Sequence, residues 1–237
     1  MKAVFNIDDY CYTKSQIDGT IYAYQNGIVT STTCLTVVRD ELLEYGVLKS
    51  KENPGLAIGC HLTLSVSGGH AISDGKTICK EDRSFYKQGT IDYNTMDPEE
   101  VYQEYKAQIE RFIKFFGRKP DHLDHHHGLH IHNACLLPHV QRLAEEYGIP
   151  YRYPNGEVNY LGCLYHEYTL ENAEKLLLER KAAGDEKVEL ACHAAFVDQE
   201  MLELSSYNSE RIEELKVVTN PEYKKFLEEN GIERASY

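Results

Sequence analysis

Two adjacent carboxylates, Asp8 and Asp9, follow the apolar residues 3–7. Like charges side by side call for a reason, because each disfavours ionisation of the other. Alone, the pair reads as a helix cap with a solvated neighbour. Its company changes that reading. His61 stands in the otherwise apolar stretch Gly59-Cys60-His61-Leu62, and His193 in Ala191-Cys192-His193-Ala194. Between them, residues 122–132 hold six histidines in eleven positions. Histidine has no helix propensity that would collect it so densely, and such a tract points to metal binding. Carboxylate and imidazoles without thiolates suit a divalent ion that keeps positions open for water and substrate. With one Asp and two His on the ion, a second Asp is free to take a proton from water, and a further His can protonate a leaving group. The chemistry this describes is metal-assisted hydrolysis.

Such residues are useful only where strands and helices aim them. Apolar, partly β-branched runs at 3–7, 28–37, 56–64, 121–124, 149–153 and 188–192 alternate with helical spacing at 14–25, 39–49, 98–116, 136–147 and 169–183, and helices at 209–217 and 221–229 close the chain. Alternation of this kind builds a mostly parallel sheet covered by helices. It predicts an α/β fold, a distorted or incomplete (β/α) barrel forming a single domain over 1–237, with an open doubly wound sheet second. Asp8, Asp9, His61 and His193 then fall at the carboxyl ends of strands, where ligands bind in both architectures. Residues 65–97, rich in Gly, Ser, Lys and Asp, read as a long functional loop over that end.

Charge and composition remove other classes. The 237 residues carry 25 Lys+Arg against 38 Asp+Glu, a net charge of −13, with no basic run to neutralise phosphates, so nucleic acid is not an expected partner. No apolar stretch reaches the roughly 18 residues of a membrane span, and Asp8 and Asp9 interrupt the first apolar run. Seven cysteines without a CxxC pair read as reduced thiols of a cytoplasmic protein, Cys60 and Cys192 as small buried hydrophobes. A homodimer is a state that small metabolic enzymes commonly adopt.

Seven segments, taken in order, carry a resemblance. Asn6-Ile7-Asp8-Asp9-Tyr10, Asn26-Gly27-Ile28-Val29-Thr30-Ser31-Thr32-Thr33, Ile58-Gly59-Cys60-His61, Gly117-Arg118-Lys119-Pro120 with His122-Leu123-Asp124, and Glu189 to His193 with Ser205-Ser206-Tyr207-Asn208-Ser209-Glu210-Arg211 are similar to successive motifs of the YdjC-like carbohydrate deacetylases. The resemblance implies a distorted barrel that removes the N-acetyl group of an acetylated amino sugar with one divalent metal ion; oxygen and nitrogen ligation admits Mg²⁺, Mn²⁺, Zn²⁺ or Co²⁺, Zn²⁺ being most favoured and Mg²⁺ least, and the sugar is expected free or phosphorylated. It places the metal on Asp9, His61 and His126; a one-residue shift of register would substitute His125 or His127. It makes Asp8 the general base and His193 the proton donor to the departing amine. Where the family usually has Phe-Gly, this chain has Tyr10 and Cys11; where the family usually has Asp-Ser-His-x-His, it has Asp124-His125-His126-His127-Gly128. Tyr10, His130 and Arg152 are expected to meet substrate, with His130 alternatively orienting the ligand histidine and Arg152 alternatively a surface residue. Two other readings compete: a metal-dependent sugar-phosphate or phosphoester hydrolase, and a non-catalytic metal- or sugar-binding protein.

Overall fold

The longest strand, β1 (Lys2–Tyr10), is buried at eight of its nine positions, as a parallel strand covered on both faces must be. A computed structural model describes residues 1–237 and continues from it through α1 (Lys14–Asn26), β2 (Ser31–Cys34), α2 (Asp40–Glu52), β3 (Ala57–Leu62), α3 (Pro98–Phe116), β4 (Leu123–His125), α4 (Leu129–His132), α5 (Leu137–Tyr147), β5 (Asn159–Cys163), α6 (Leu170–Ala182), β6 (Lys187–Cys192), α7 (Gln199–Leu204), α8 (Ser209–Val218), α9 (Pro221–Glu229) and β7 (Glu233–Ala235).

All pairings between strands are parallel, in the order β4-β3-β2-β1-β6-β5, with β7 docked beside the start of β1. The sheet curls, and residues 150–153 span the gap between its edge strands through single bridges from Leu123 to Tyr151 and from Tyr153 to Asn159. The result is the expected distorted barrel. The expected strand over 149–153 is reduced to these bridges because Pro150 and Pro154 have no N–H to give a ladder. The run at 28–37 is ordered as strand only over Ser31–Cys34. β5, α7 and β7 lie outside the elements read from sequence; β5 is Asn-Tyr-Leu-Gly-Cys, with no β-branched residue, and β7 is polar and largely exposed.

Local chemistry explains the helices that were legible. Thr13 caps α1 by accepting from the Gln16 N–H at 3.1 Å. Asp97 caps α3 by accepting from the N–H groups of Glu99 and Glu100, Pro98 opens the helix, and Gly117 closes it at φ 68°.

The loop over 65–97 contains one short 3₁₀ turn, Tyr93–Thr95, yet it is well anchored. Glu104 of α3, fully buried, accepts from the backbone N–H groups of Ile72 and Ser73, and Glu100 from those of Lys76 and Thr77. The Arg83 guanidinium donates to the carbonyls of Ala71, Ile72 and Ser73. α3 therefore holds the loop over the barrel mouth by its acidic side chains.

Candidate metal and catalytic centre

In a regular strand, Asp8 and Asp9 would point to opposite faces of the sheet. Here β1 holds one extra residue against β2 between the pairs Ile7–Thr32 and Tyr10–Cys34, and Asp9 takes φ 70°. This bulge turns both carboxylates into the barrel mouth. A left-handed Asp is tolerated at a cost of about 1 kcal/mol or more, and the surrounding partners hold it there.

The two carboxylates are then set apart by their partners. Asp9 Oδ2 accepts from Arg211 at 2.8 Å, while Asp9 Oδ1 faces His126 Nδ1 at 2.9 Å and His61 Nε2 at 3.3 Å. The two imidazole nitrogens lie 3.3 Å from each other. Asp9 is fully buried, yet its Oδ1 forms no hydrogen bond of acceptable geometry. A buried oxygen in that position lacks a partner that the protein does not supply. Donors on a single ion with bonds of about 2.1 Å stand about 3.0 to 3.4 Å apart, so this triangle fits a divalent cation. Behind it, Asp124 Oδ1 takes His61 Nδ1 at 2.6 Å, which fixes the ring with Nε2 facing Asp9. His61 and Asp124 are direct partners in the β3–β4 register. Burial opposes charge on the His61 ring, but Asp124, Asp9 and Asp8 outweigh it and push the ring up to about 10.

Asp8 has a different environment. Its Oδ1 accepts from Arg152 Nη2 at 2.8 Å and from Asn6 Nδ2 at 2.8 Å; its Oδ2 accepts from Arg152 Nη1 at 2.9 Å. Burial disfavours the carboxylate, but Arg152 more than compensates and holds Asp8 far below the usual range. Arg152 also meets Asp124 at 2.8 Å and Glu189 at 2.6 Å. His193 follows β6, its ring stacked on Tyr165 at 5.7 Å, and burial lowers it to about 4. Carboxylate, thiol and ring atoms of Asp8, Cys163 and His193 lie within 4.8 Å of one another.

Beside these groups lies a cavity of about 510 Å³, lined by Asp9, His126, His193 and Arg211 on the barrel side and by Lys80 and Lys87 of the long loop. Its size lies in the range of small-molecule sites. Tyr207, at its edge, is held by Glu214.

A family model, YdjC-like protein, matches residues 2–229. The chain belongs to the YdjC-like family. A Listeria innocua relative named carbohydrate deacetylase 2 is 33% identical over 100% of this chain and 98% of its own. A Vibrio campbellii relative named carbohydrate deacetylase is 34% identical over 100% and 95%. A solved structure from Enterococcus faecalis, named for cellobiose-phosphate cleavage, matches with a TM-score of 0.93 at 33% identity, over 100% of this chain and 97% of that one. A family 4 carbohydrate esterase from Streptomyces lividans shares the fold, with a TM-score of 0.55 at 10% identity over 99% and 92%.

In the YdjC-like chain, Asp8, Asp9, His61, His126 and His193 come together at one end of the barrel, as the strand-end reading required. Of the three consecutive histidines, His126 is the one facing Asp9 and His61. His125 instead meets the Tyr105 hydroxyl and the His126 carbonyl, and His127 meets Ser65 Oγ at 2.8 Å. Three residues expected to meet substrate have partners within the protein. Tyr10 is wholly buried and its hydroxyl donates to the Gly46 carbonyl, because the bulge sends it into the wall beneath α2. Arg152 is 2% exposed, buried where a surface residue was the alternative, with its guanidinium engaged by three carboxylates. His130 is likewise buried, its Nε2 2.7 Å from the Arg152 carbonyl, so it braces the Arg152 segment.

Two participants went unassigned in the sequence of this YdjC-like chain, Asp124 and Glu189. Both carried a signal: an acid inside an apolar β run, Asp124 within the histidine tract and Glu189 two residues before Ala191 on the same strand face. Tyr237 could not be anticipated at all. Its hydroxyl donates to Glu189 and its ring stacks on His122 at 3.7 Å, placing the end of the sequence beneath the Arg152 cluster.

Proposed function

We propose that this protein is a carbohydrate deacetylase that hydrolyses the N-acetyl group of a short amino sugar, with Asp9, His61 and His126 holding one divalent cation. The observation that supports it most is the buried, unpartnered Asp9 Oδ1 between two imidazole nitrogens, at the floor of a sugar-sized cavity. The names of the relatives agree with it. An oxygen and two imidazole nitrogens favour Zn²⁺ over Mg²⁺, which prefers oxygen donors. A cation there supplies Lewis acidity to the acyl carbonyl and to the attacking water.

The chain's own groups handle the protons. Asp8, kept anionic by Arg152, accepts a proton from the attacking water at Oδ2, which carries one donor where Oδ1 carries two. A carboxylate held so acidic does not keep a proton; it passes it on. His193, neutral at working pH and within 4.8 Å, receives it and delivers it to the departing nitrogen. Acetate and a free amine result. Lys80 and Lys87 give the cavity mouth a positive edge in a chain of net charge −13, which suits a phosphorylated sugar. Seven free cysteines suit the reducing cytoplasm.

The test is acetate release from di-N-acetylchitobiose and N-acetylglucosamine, free and 6-phosphorylated, by chelated and metal-reconstituted protein. Metal-restored release that His126→Ala abolishes is expected. Release that survives chelation and His126→Ala overturns the metal assignment; none from any substrate by the reconstituted protein overturns the deacetylase reading.

A further inference from the structure

β5 ends in a deformation of its own. Its pairing with β6 loses register between Tyr160 and Cys163, and Gly162 takes φ 98°, a conformation that favours glycine. The turn brings the Cys163 thiol out of the wall. Cys192, on the neighbouring β6, and Cys60, on β3, stay buried in it. Cys163 Sγ lies 3.6 Å from the Tyr160 hydroxyl and, as described, within 4.8 Å of an oxygen of Asp8 and a nitrogen of His193.

The mechanism above gives this thiol no role. We propose that Cys163, Asp8 and His193 form a second, inhibitory cation site, selective for thiophilic divalent ions such as Zn²⁺ or Cd²⁺ and separate from the triangle of Asp9, His61 and His126. The donor sets share no residue, and they differ in chemistry. The triangle offers oxygen and two nitrogens; the second set offers sulfur, nitrogen and oxygen, and sulfur selects soft ions and rejects Mg²⁺. Each donor has capacity to spare. Asp8 Oδ2 accepts a single hydrogen bond, and His193 Nδ1 is buried without a partner. Three carboxylates, Asp8, Asp124 and Glu189, surround the one Arg152 guanidinium, so the neighbourhood receives positive charge favourably. On binding, the S–H bond breaks, the proton leaves to solvent and an Sγ–metal bond forms, with no change of oxidation state. Asp8 and His193 are the groups that carry the protons of hydrolysis, so an ion held there stops turnover while the triangle stays loaded. That last consequence rests on the deacetylase reading; the site itself does not.

The experiment titrates metal-free full-length protein with Co²⁺, followed by metal analysis and near-ultraviolet absorbance, where thiolate-to-cobalt charge transfer is seen. Wild type is expected to bind two ions, one of them with the charge-transfer band. Cys163→Ala is expected to bind one without the band, and that remaining ion shows that the variant is folded. His126→Ala is expected to keep the band. Wild type that binds a single ion, two ions without a band, or a band that survives Cys163→Ala overturns the proposal. In the activity arm, Zn²⁺ at about tenfold excess over one loaded equivalent is expected to depress acetate release by wild type about tenfold and to leave Cys163→Ala unaffected. Equal inhibition of both proteins overturns the inhibitory role. A cysteine-dependent band in protein that releases no acetate from any substrate sinks the deacetylase reading and leaves the site standing.

Discussion

Asp8 and Asp9 are chemically identical neighbours, and a single extra residue in β1 gives them different work. Asp9 presents a bare oxygen to two imidazoles, whereas Asp8 is clasped by Arg152. Asp8→Asn is expected to lower kcat by about 10² to 10⁴ while the ion held by Asp9, His61 and His126 stays bound; loss of that ion in step with the rate would show that Asp8 is one of its ligands. A second expectation concerns His61. Its ring is raised to about 10, so in metal-free protein it is protonated at neutral pH, and cation uptake must release that proton. Metal affinity should rise about tenfold per pH unit up to about pH 10, checked by calorimetry in buffers of different ionisation enthalpy. The sign for stability follows. In metal-free protein the charged ring stabilises the fold fully below its ordinary value of 6.5, and that contribution fades as pH rises towards 10. The clustering of Asp8, Asp9, His61 and His193 was legible because Asp and His are rare in apolar strands. Arg152 and Tyr10 were not, because a sequence gives a side chain's type and period but not whether partners already saturate it.

At the scale of elements, the decisive contact is between α3 and the loop over 65–97. Glu104 and Glu100 take four backbone N–H groups of a segment with almost no regular structure. Glu104→Ala removes the acceptor for Ile72 and Ser73 and leaves partly buried donors unpaired, at a cost of up to about 1 to 3 kcal/mol each where water cannot enter. The loop bears Lys80 and Lys87, so KM should rise severalfold with metal affinity unchanged. Steady-state kinetics beside metal titration checks this; an unchanged KM would detach the loop from substrate binding. The bounds of α3 were read correctly at both ends because cap, Pro98 and Gly117 are local signals. β5 and β7 were not, because their pairing is imposed by β6 and β1 and by no preference of their own residues.

Across the whole molecule, the centre is assembled from both ends of the chain. Arg211 of α8 reaches Asp9, Glu189 of β6 reaches Arg152, and Tyr237 reaches Glu189. A cation that binds only the folded form should therefore stabilise the entire barrel, by about 2.7 kcal/mol at a concentration 100 times its Kd. Calorimetric melting of Cys163→Ala with and without Zn²⁺ should show one transition moving upward, absent when His61→Ala is added. A shift in only part of the transition would mean that the centre unfolds separately. The alternation of strands and helices made the barrel legible; its closure through residues 150–153 was not, since single bridges leave no periodic trace. The pairing of Asp9 with Arg211 has a consequence for synthesis. A ribosome makes Arg211 some 200 residues after Asp9, so over that interval the nascent chain carries the acid without this counter-charge. The charge balance of Asp9 is thus completed only once α8 has been made.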